Sequence, residues 1–187
     1  MTPRLYAALV HYPVMDKHAE VVATSITNLD IHDISRAART YGIVRYFLVT
    51  PVEAQHWLAR RIVKHWEEGW GATYNPNRKA ALGIIDVMAD LQQVGAEIEA
   101  AERRPPLWVA TSARRFPNSI SYADMRARLS DESGQPYCLI FGTGHGLHPE
   151  VMAEADLVLE PIMGPTPYNH LSVRSAASII FDRLLGL

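Results

Sequence analysis

The stretch Cys138–Leu187, CLIFGTGHGLHPEVMAEADLVLEPIMGPTPYNHLSVRSAASIIFDRLLGL, decides the fold. It holds two apolar runs, and each breaks into a loop. Tyr137–Phe141 has the length of a buried strand and ends in Gly142-Thr-Gly144-His-Gly146-Leu147. Leu157–Met163 is the second run and ends in Gly164-Pro-Thr-Pro-Tyr-Asn169-His170. Leu171–Leu185 then has helical spacing, with Val173, Ala176, Ile180 and Leu184 predicted as its buried stripe. Strand, loop and helix in succession point to an α/β fold with a mainly parallel sheet flanked by helices. The remaining chain reads as the frame that holds the two loops side by side.

Working outward, Leu107–Thr111 is a predicted strand, Ser112–Ser119 a loop carrying Arg114 and Arg115, and Tyr122–Leu129 a short helix. Asp131–Pro136 is a turn, Pro149–Ala153 a short helix and Leu157–Leu159 a short strand. Upstream, Leu5–His11 is a strand closed by Pro13, and Glu20–Ser25 is extended or loop-like. Ile31, Ile34, Ala38 and Tyr41 mark a helix with Asp30 as its expected N-cap and Gly42 as its stop. Ile43–Thr50 follows as a strand, and Val52–Trp66 as a helix with Arg60, Arg61 and Lys64 on its polar face. Gly69–Asn77 reads as a loop and Arg78–Glu102 as one long helix. In parallel sheets ligands gather beyond the C-terminal ends of strands. Thr111–Asn118, Gly142–His148 and Met163–His170 are the loops in that position.

Composition narrows the choices. The 187 residues, 48% hydrophobic, suit a single domain over 1–187 with a sizeable core. No apolar run approaches the roughly 20 residues of a membrane span. The first apolar run reads as a core strand and not as a signal peptide. The single cysteine, Cys138, excludes an internal disulfide, fits a reducing cytoplasm and is expected to be buried. A net charge of −2 gives no global basic field, so any RNA contact must use local patches such as Arg60, Arg61 and Lys64, or Arg114 and Arg115. Trp57, Trp66, Trp70 and Tyr74 are expected as core or interface anchors, with an RNA platform as the other reading.

Two nucleotide motifs fail on spacing. A G-x-G-x-x-G fingerprint starting at Gly142 needs glycine where Leu147 stands, and one starting at Gly144 needs it where Pro149 stands. No Gly-Lys-Ser/Thr phosphate loop is present. What remains is a glycine turn that lets a ligand approach the backbone closely. Asp30-Ile-His32-Asp33 opens a different route, a metal-dependent nucleotide hydrolase, but it lacks the further ligands such a site needs.

Three segments together resemble the SPOUT superfamily of S-adenosylmethionine-dependent RNA methyltransferases. Asp30-Ile-His-Asp-Ile-Ser-Arg36-Ala-Ala is similar to its first motif, with Asp30 where Asn is common. Leu139-Ile-Phe-Gly142-Thr-Gly144-His-Gly146-Leu147 is similar to the second, without the Glu often found in that turn. Leu159-Glu-Pro161-Ile-Met-Gly164 through Asn169-His-Leu-Ser172-Val-Arg-Ser-Ala-Ala is similar to the third, with His170 where Asn is usual. Val10-His-Tyr-Pro13, Asn28-Leu-Asp-Ile-His-Asp33, Arg39-Thr-Tyr-Gly42 and Ala110-Thr-Ser-Ala-Arg114 extend the likeness over nearly the whole chain, toward a bacterial branch assigned to RNA methylation.

The resemblance implies a C-terminal deep trefoil knot, S-adenosylmethionine as cofactor, a tRNA or rRNA nucleotide as methyl acceptor, and a homodimer. Cofactor-binding candidates are Thr111, Ser112 and Ala113 in one loop, then Phe141, Gly142, Thr143, Gly144, His145, Gly146 and Leu147 in the glycine turn. Leu159, Glu160, Pro161 and Ile162, then His170, Leu171 and Ser172, complete the set. Arg36, Asp30 and Asn169 are the catalytic candidates, and no metal is expected. Arg36 suits a phosphate or a developing negative charge, and its high pKa makes it a poor base. A binding module that keeps the pocket without the chemistry stays open beside the enzyme, because the motif Glu is missing.

Overall fold

The computed structural model describes residues 3–187, apart from the Ala72 side chain. In chain order the elements are β1 (Leu5–Val10), β2 (Val14–Met15), β3 (Val21–Val22), α1 (Asn28–Thr40), β4 (Tyr46–Val49) and α2 (Glu53–Glu67). Then come α3 (Trp70–Tyr74), α4 (Pro76–Leu82), β5 (Ile85–Met88), α5 (Leu91–Glu102), β6 (Leu107–Ala110) and β7 (Ser119–Ile120). The last are α6 (Tyr122–Leu129), β8 (Tyr137–Gly142), α7 (Pro149–Glu154), β9 (Leu157–Leu159) and α8 (Val173–Leu185).

Seven strands form one sheet in the order β5-β4-β1-β8-β6-β9-β7, and its pairings are parallel throughout. β1 sits inside it because all six of its residues, LYAALV, are apolar and buried. Such a run can cover both faces of a sheet, as a central parallel strand must. Leu5, Ala7 and Leu9 join Leu139 and Phe141 against residues of α1, α2, α4, α6 and α8. Tyr6, Ala8 and Val10 join Cys138 and Ile140 against α5 and α7. The α/β architecture read from the sequence is therefore what forms, and Cys138 is buried as expected. No helix among the described residues is long and apolar enough to cross a membrane.

Several boundaries differ from expectation. The predicted helix Arg78–Glu102 is three elements: the end of α4, strand β5, and α5. Ile84, Ile85, Met88 and Leu91 matched helical spacing by coincidence, since a short apolar run carries no period of its own. Asp90 marks the break, because its side chain accepts from the Gln93 amide at 2.8 Å and caps α5. The predicted loop Gly69–Asn77 contains α3 and the start of α4, whose N-cap is Asn75 with Pro76 in the first turn. β7 lies at the end of the predicted loop Ser112–Ser119.

Asp30 is not the N-cap of α1. Thr27 is, and Asp30 sits three residues on, where it closes a capping box with Thr27. Gly42 does end the helix, at φ +77°. On α8 the buried residues are Ala177, Ile180, Phe181 and Leu184, so the stripe is turned from the predicted one and Val173 and Ala176 lie half-exposed at its edge. Phe181 meets Phe141 edge to face at 5.8 Å. Each such fully buried side chain contributes about 1.5–3 kcal/mol.

Candidate active site

β8, β6 and β9 are neighbours in the sheet, so the loops that follow them leave from one end, side by side. These are the three loops named from sequence. Asn169 ties two of them together: its Nδ2 donates to the Ala113 carbonyl at 2.8 Å. The Thr111 hydroxyl donates to the Ile140 carbonyl at 2.9 Å, fixing the start of one loop to the strand beneath the glycine turn.

The glycine turn is built against the segment after β1. The amide of His145 donates to the Met15 carbonyl at 2.8 Å, and the amide of Met15 donates to the Gly146 carbonyl at 2.9 Å. A Cβ on Gly144 would lie 2.8 Å from the Met15 carbonyl oxygen, and Gly144 has φ +59°, so glycine is required there twice over. A Cβ on Gly142 would lie 2.7 Å from the Leu147 nitrogen. By contrast, nothing lies within 4 Å of a Cβ built on Gly146 or on Gly164. These two backbones face open space in the second and third loops, which is the room a flat ligand needs to lie against the main chain.

The remaining cofactor candidates divide by burial. Phe141, Leu159 and Pro161 have side chains in the core, so only their backbones can face a ligand. Leu147 is buried below the turn, and Ile162 packs partly on the core. Thr143 is held at both ends, by the Val10 carbonyl at 3.0 Å and the Thr24 hydroxyl at 2.5 Å. The Glu160 carboxylate accepts from the Tyr122 amide, at the start of α6, at 2.9 Å. Ser172 caps α8 through the Ser175 amide, while His170 and Leu171 are exposed. The Ser112 hydroxyl accepts from the Arg114 amide at 3.1 Å, and His145 is exposed on the turn.

The first motif is arranged around a residue that sequence reasoning did not single out. Arg174, on α8, donates through Nη1 to Asp30 at 3.3 Å and pairs through Nε with Asp33 at 3.4 Å. Asp30 is buried, and its carboxylate also accepts from the Thr27 amide and hydroxyl. It is a structural anchor between α1 and α8 and not a free base. His32 lies edge-on to Trp66 at 5.6 Å, and burial lowers its pKa. Asp30, His32 and Asp33 therefore do not converge as metal ligands, and among the described residues no group of three or more His, Cys, Asp or Glu does. Arg36 is exposed on α1 and makes no side-chain hydrogen bond or ion pair among the described residues.

A second residue missed from sequence is His11, just past β1. It is fully buried, shares a 3.0 Å hydrogen bond between Nδ1 and the Thr24 hydroxyl, and leaves Nε2 without a partner among the described residues. Burial pushes its pKa down to about 4, against a smaller upward pull from Asp30. No spacing signal joins His11 to Thr24 and Thr143, since the link forms only when the sheet does.

Comparison with known proteins bears on the family and the fold. The family described as SAM-dependent RNA methyltransferase matches residues 4–186. An uncharacterized protein of Aquifex aeolicus is 40% identical over 182 residues, covering 97% of this chain and 88% of that protein. A tRNA (guanine-N(1)-)-methyltransferase of Nitratidesulfovibrio vulgaris is 46% identical over 97% of this chain, but the match spans only 42% of that protein. Among solved structures, the SpoU methyltransferase AviRb of Streptomyces viridochromogenes, in complex with AdoMet, superposes with a TM-score of 0.57. It is 14% identical, over 99% of this chain and 58% of that one, a likeness of fold. The fold is that of the SPOUT methyltransferases, and the chain belongs to the family of S-adenosylmethionine-dependent RNA methyltransferases.

Proposed function

We propose that the three loops after β6, β8 and β9 hold S-adenosylmethionine and that the chain methylates a nucleotide of tRNA or rRNA. The observation that carries this is the convergence of those loops, joined by Asn169 and Ala113, around the open backbones of Gly146 and Gly164. When bound, the cofactor supplies a methyl group on a sulfonium, ready for in-line transfer to an RNA nucleophile. The glycine turn and the Thr111–Ala113 loop present backbone groups and apolar walls to it. Arg36, with its guanidinium free in solvent, takes an RNA phosphate or the charge that develops on the target nucleotide. The guanine-N1 activity named for the Nitratidesulfovibrio protein is not carried over, because the larger part of that protein lies outside the match.

Three further readings belong with this one. The chain leaves β9, passes the Ala113 loop and returns to α1 through α8; that path supports a trefoil knot over the last third. Exposed Leu29 on α1 and Tyr168 and Leu171 just before α8 support a homodimer that covers them and completes the site beside Arg36. A single domain working in the cytoplasm agrees with the lone reduced cysteine.

Calorimetric titration of the folded protein with S-adenosylmethionine and its demethylated product tests the core of the proposal. Micromolar binding of either is expected. Absence of heat with both would leave the loops a likeness without a cofactor.

A further inference from the structure

At the other half of the sheet, on the same end as the cofactor loops, lies a cleft of about 750 Å³. Pro51, after β4, and Ala89, after β5, form its floor, and one face of α2 forms its wall. Trp57, Arg60, Arg61 and Lys64 line that wall at helical spacing. We propose that this cleft is a subsite for single-stranded RNA, with a base stacked on Trp57 and the phosphates beside it held by Arg61 and Lys64.

Four observations support that occupant. Trp57 is 61% exposed, although a tryptophan at a helix surface ordinarily seeks burial. The Arg61 guanidinium lies over its ring at 5.0 Å, so a cation already stands beside the exposed aromatic surface. Three cations line the cleft against one carboxylate, Glu53, in a chain whose net charge is −2. Arg60 is steadied by the Val87 carbonyl at 3.5 Å, and Lys64 by Glu68 at 3.5 Å. Aromatic faces beside cations are how proteins hold unpaired nucleotides, because every base has a π-face and every linkage a phosphate. β4 and β8 have only β1 between them, so the strand that leads into the cleft and the strand that leads into the glycine turn run about 10 Å apart in the sheet. A short run of one strand can reach both.

This inference rests on the RNA-methylating reading, and its test separates the two. Full-length protein, with and without Trp57→Ala, Trp57→Phe or the pair Arg61→Ala and Lys64→Ala, is titrated with a short fluorescent single-stranded RNA at several salt concentrations. Each variant is also titrated with S-adenosylmethionine and sized by sedimentation. Trp57→Ala is expected to weaken RNA binding roughly tenfold, with Trp57→Phe restoring most of it. The paired variant is expected to flatten the logarithmic salt dependence by about 0.7 per cation removed. Cofactor affinity and oligomeric state stay at wild type. RNA binding unchanged in every variant, or absent from the wild-type protein, overturns the subsite. So does a change of oligomeric state in Trp57→Ala, which would make the cleft an interface between proteins. Loss of the cofactor signal in wild-type protein, with RNA binding intact, overturns the cofactor reading alone.

Discussion

Arg174 grips Asp30 and Asp33 together, so the last helix is clamped onto the first across nearly the whole sequence. Asp30 contributes twice, to the capping box and to the clamp. Asp30→Ala is expected to lower unfolding free energy by about 2 kcal/mol, combining a lost cap with a lost charge-assisted hydrogen bond. Asp33→Ala, at a half-exposed carboxylate, is expected to change it by under about 0.5 kcal/mol. Denaturant titration of both variants checks this. A stable Asp30→Ala protein without methyl transfer would instead return Asp30 to the chemistry.

Arg36 has the opposite profile. Its exposed side chain makes no hydrogen bond or ion pair among the described residues, so Arg36→Ala is expected to leave melting temperature and cofactor affinity unchanged while methyl transfer falls by at least a hundredfold. Wild-type transfer to an unmodified RNA would refute the assignment.

Asn169 joins two loops beyond the point where their strands, β6 and β9, are paired. Removing its amide frees the Ala113 loop, and a lost hydrogen bond of about 1 kcal/mol corresponds to a several-fold loss of affinity. Asn169→Ala should therefore weaken S-adenosylmethionine binding several-fold, with stability nearly unchanged. Calorimetry on the variant reads this directly.

Gly144 and Gly164 offer a contrasting pair. Gly144→Ala adds a methyl group against the Met15 carbonyl at a positive φ, and is expected to destabilise the protein by more than about 1 kcal/mol. Gly164→Ala meets open space and should fold normally, with any effect confined to ligand binding. Thermal melts with and without cofactor separate the two cases.

The parts of the sequence that revealed the architecture were those with local signals. Gly142–Leu147 and Gly164–His170 announce loops by composition, and both fall at strand ends as expected. Ile85–Met88 failed because a run of four residues, three of them apolar, reads equally well as helix or strand, and only the Asp90 cap divides it from α5. The Arg174 clamp and the His11 cluster were not legible, because each joins residues far apart in the chain. Asp30 was read as the N-cap of α1 and proves to be the third helical residue of a capping box closed by Thr27, because composition does not say which of two nearby polar residues starts the helix.

His11 predicts a pH dependence of stability. Its folded pKa of about 4 lies below the ordinary 6.5, so the fold keeps the ring neutral. Above about pH 6.5 both folded and unfolded rings are neutral and the contribution is complete. As pH falls toward 4 the unfolded chain takes up a proton that the folded chain refuses, and stability declines by up to on the order of 3 kcal/mol. Urea midpoints measured from pH 7.5 to 4 should fall more steeply for wild type than for His11→Gln. Parallel curves would show that His11 titrates normally.

The pairing of Leu5 with Tyr137 sets an order of events for the newborn chain. β1 precedes β8 by most of the sequence, so one edge of the future central strand waits unpaired while the intervening chain is synthesised. Contacts so distant in sequence slow folding and leave sticky intermediates exposed. The late arrival of β8 also delivers the glycine turn. With the cofactor held as proposed, a half-made chain still lacks the glycine turn, and cofactor can stabilise only molecules that have already closed their sheet.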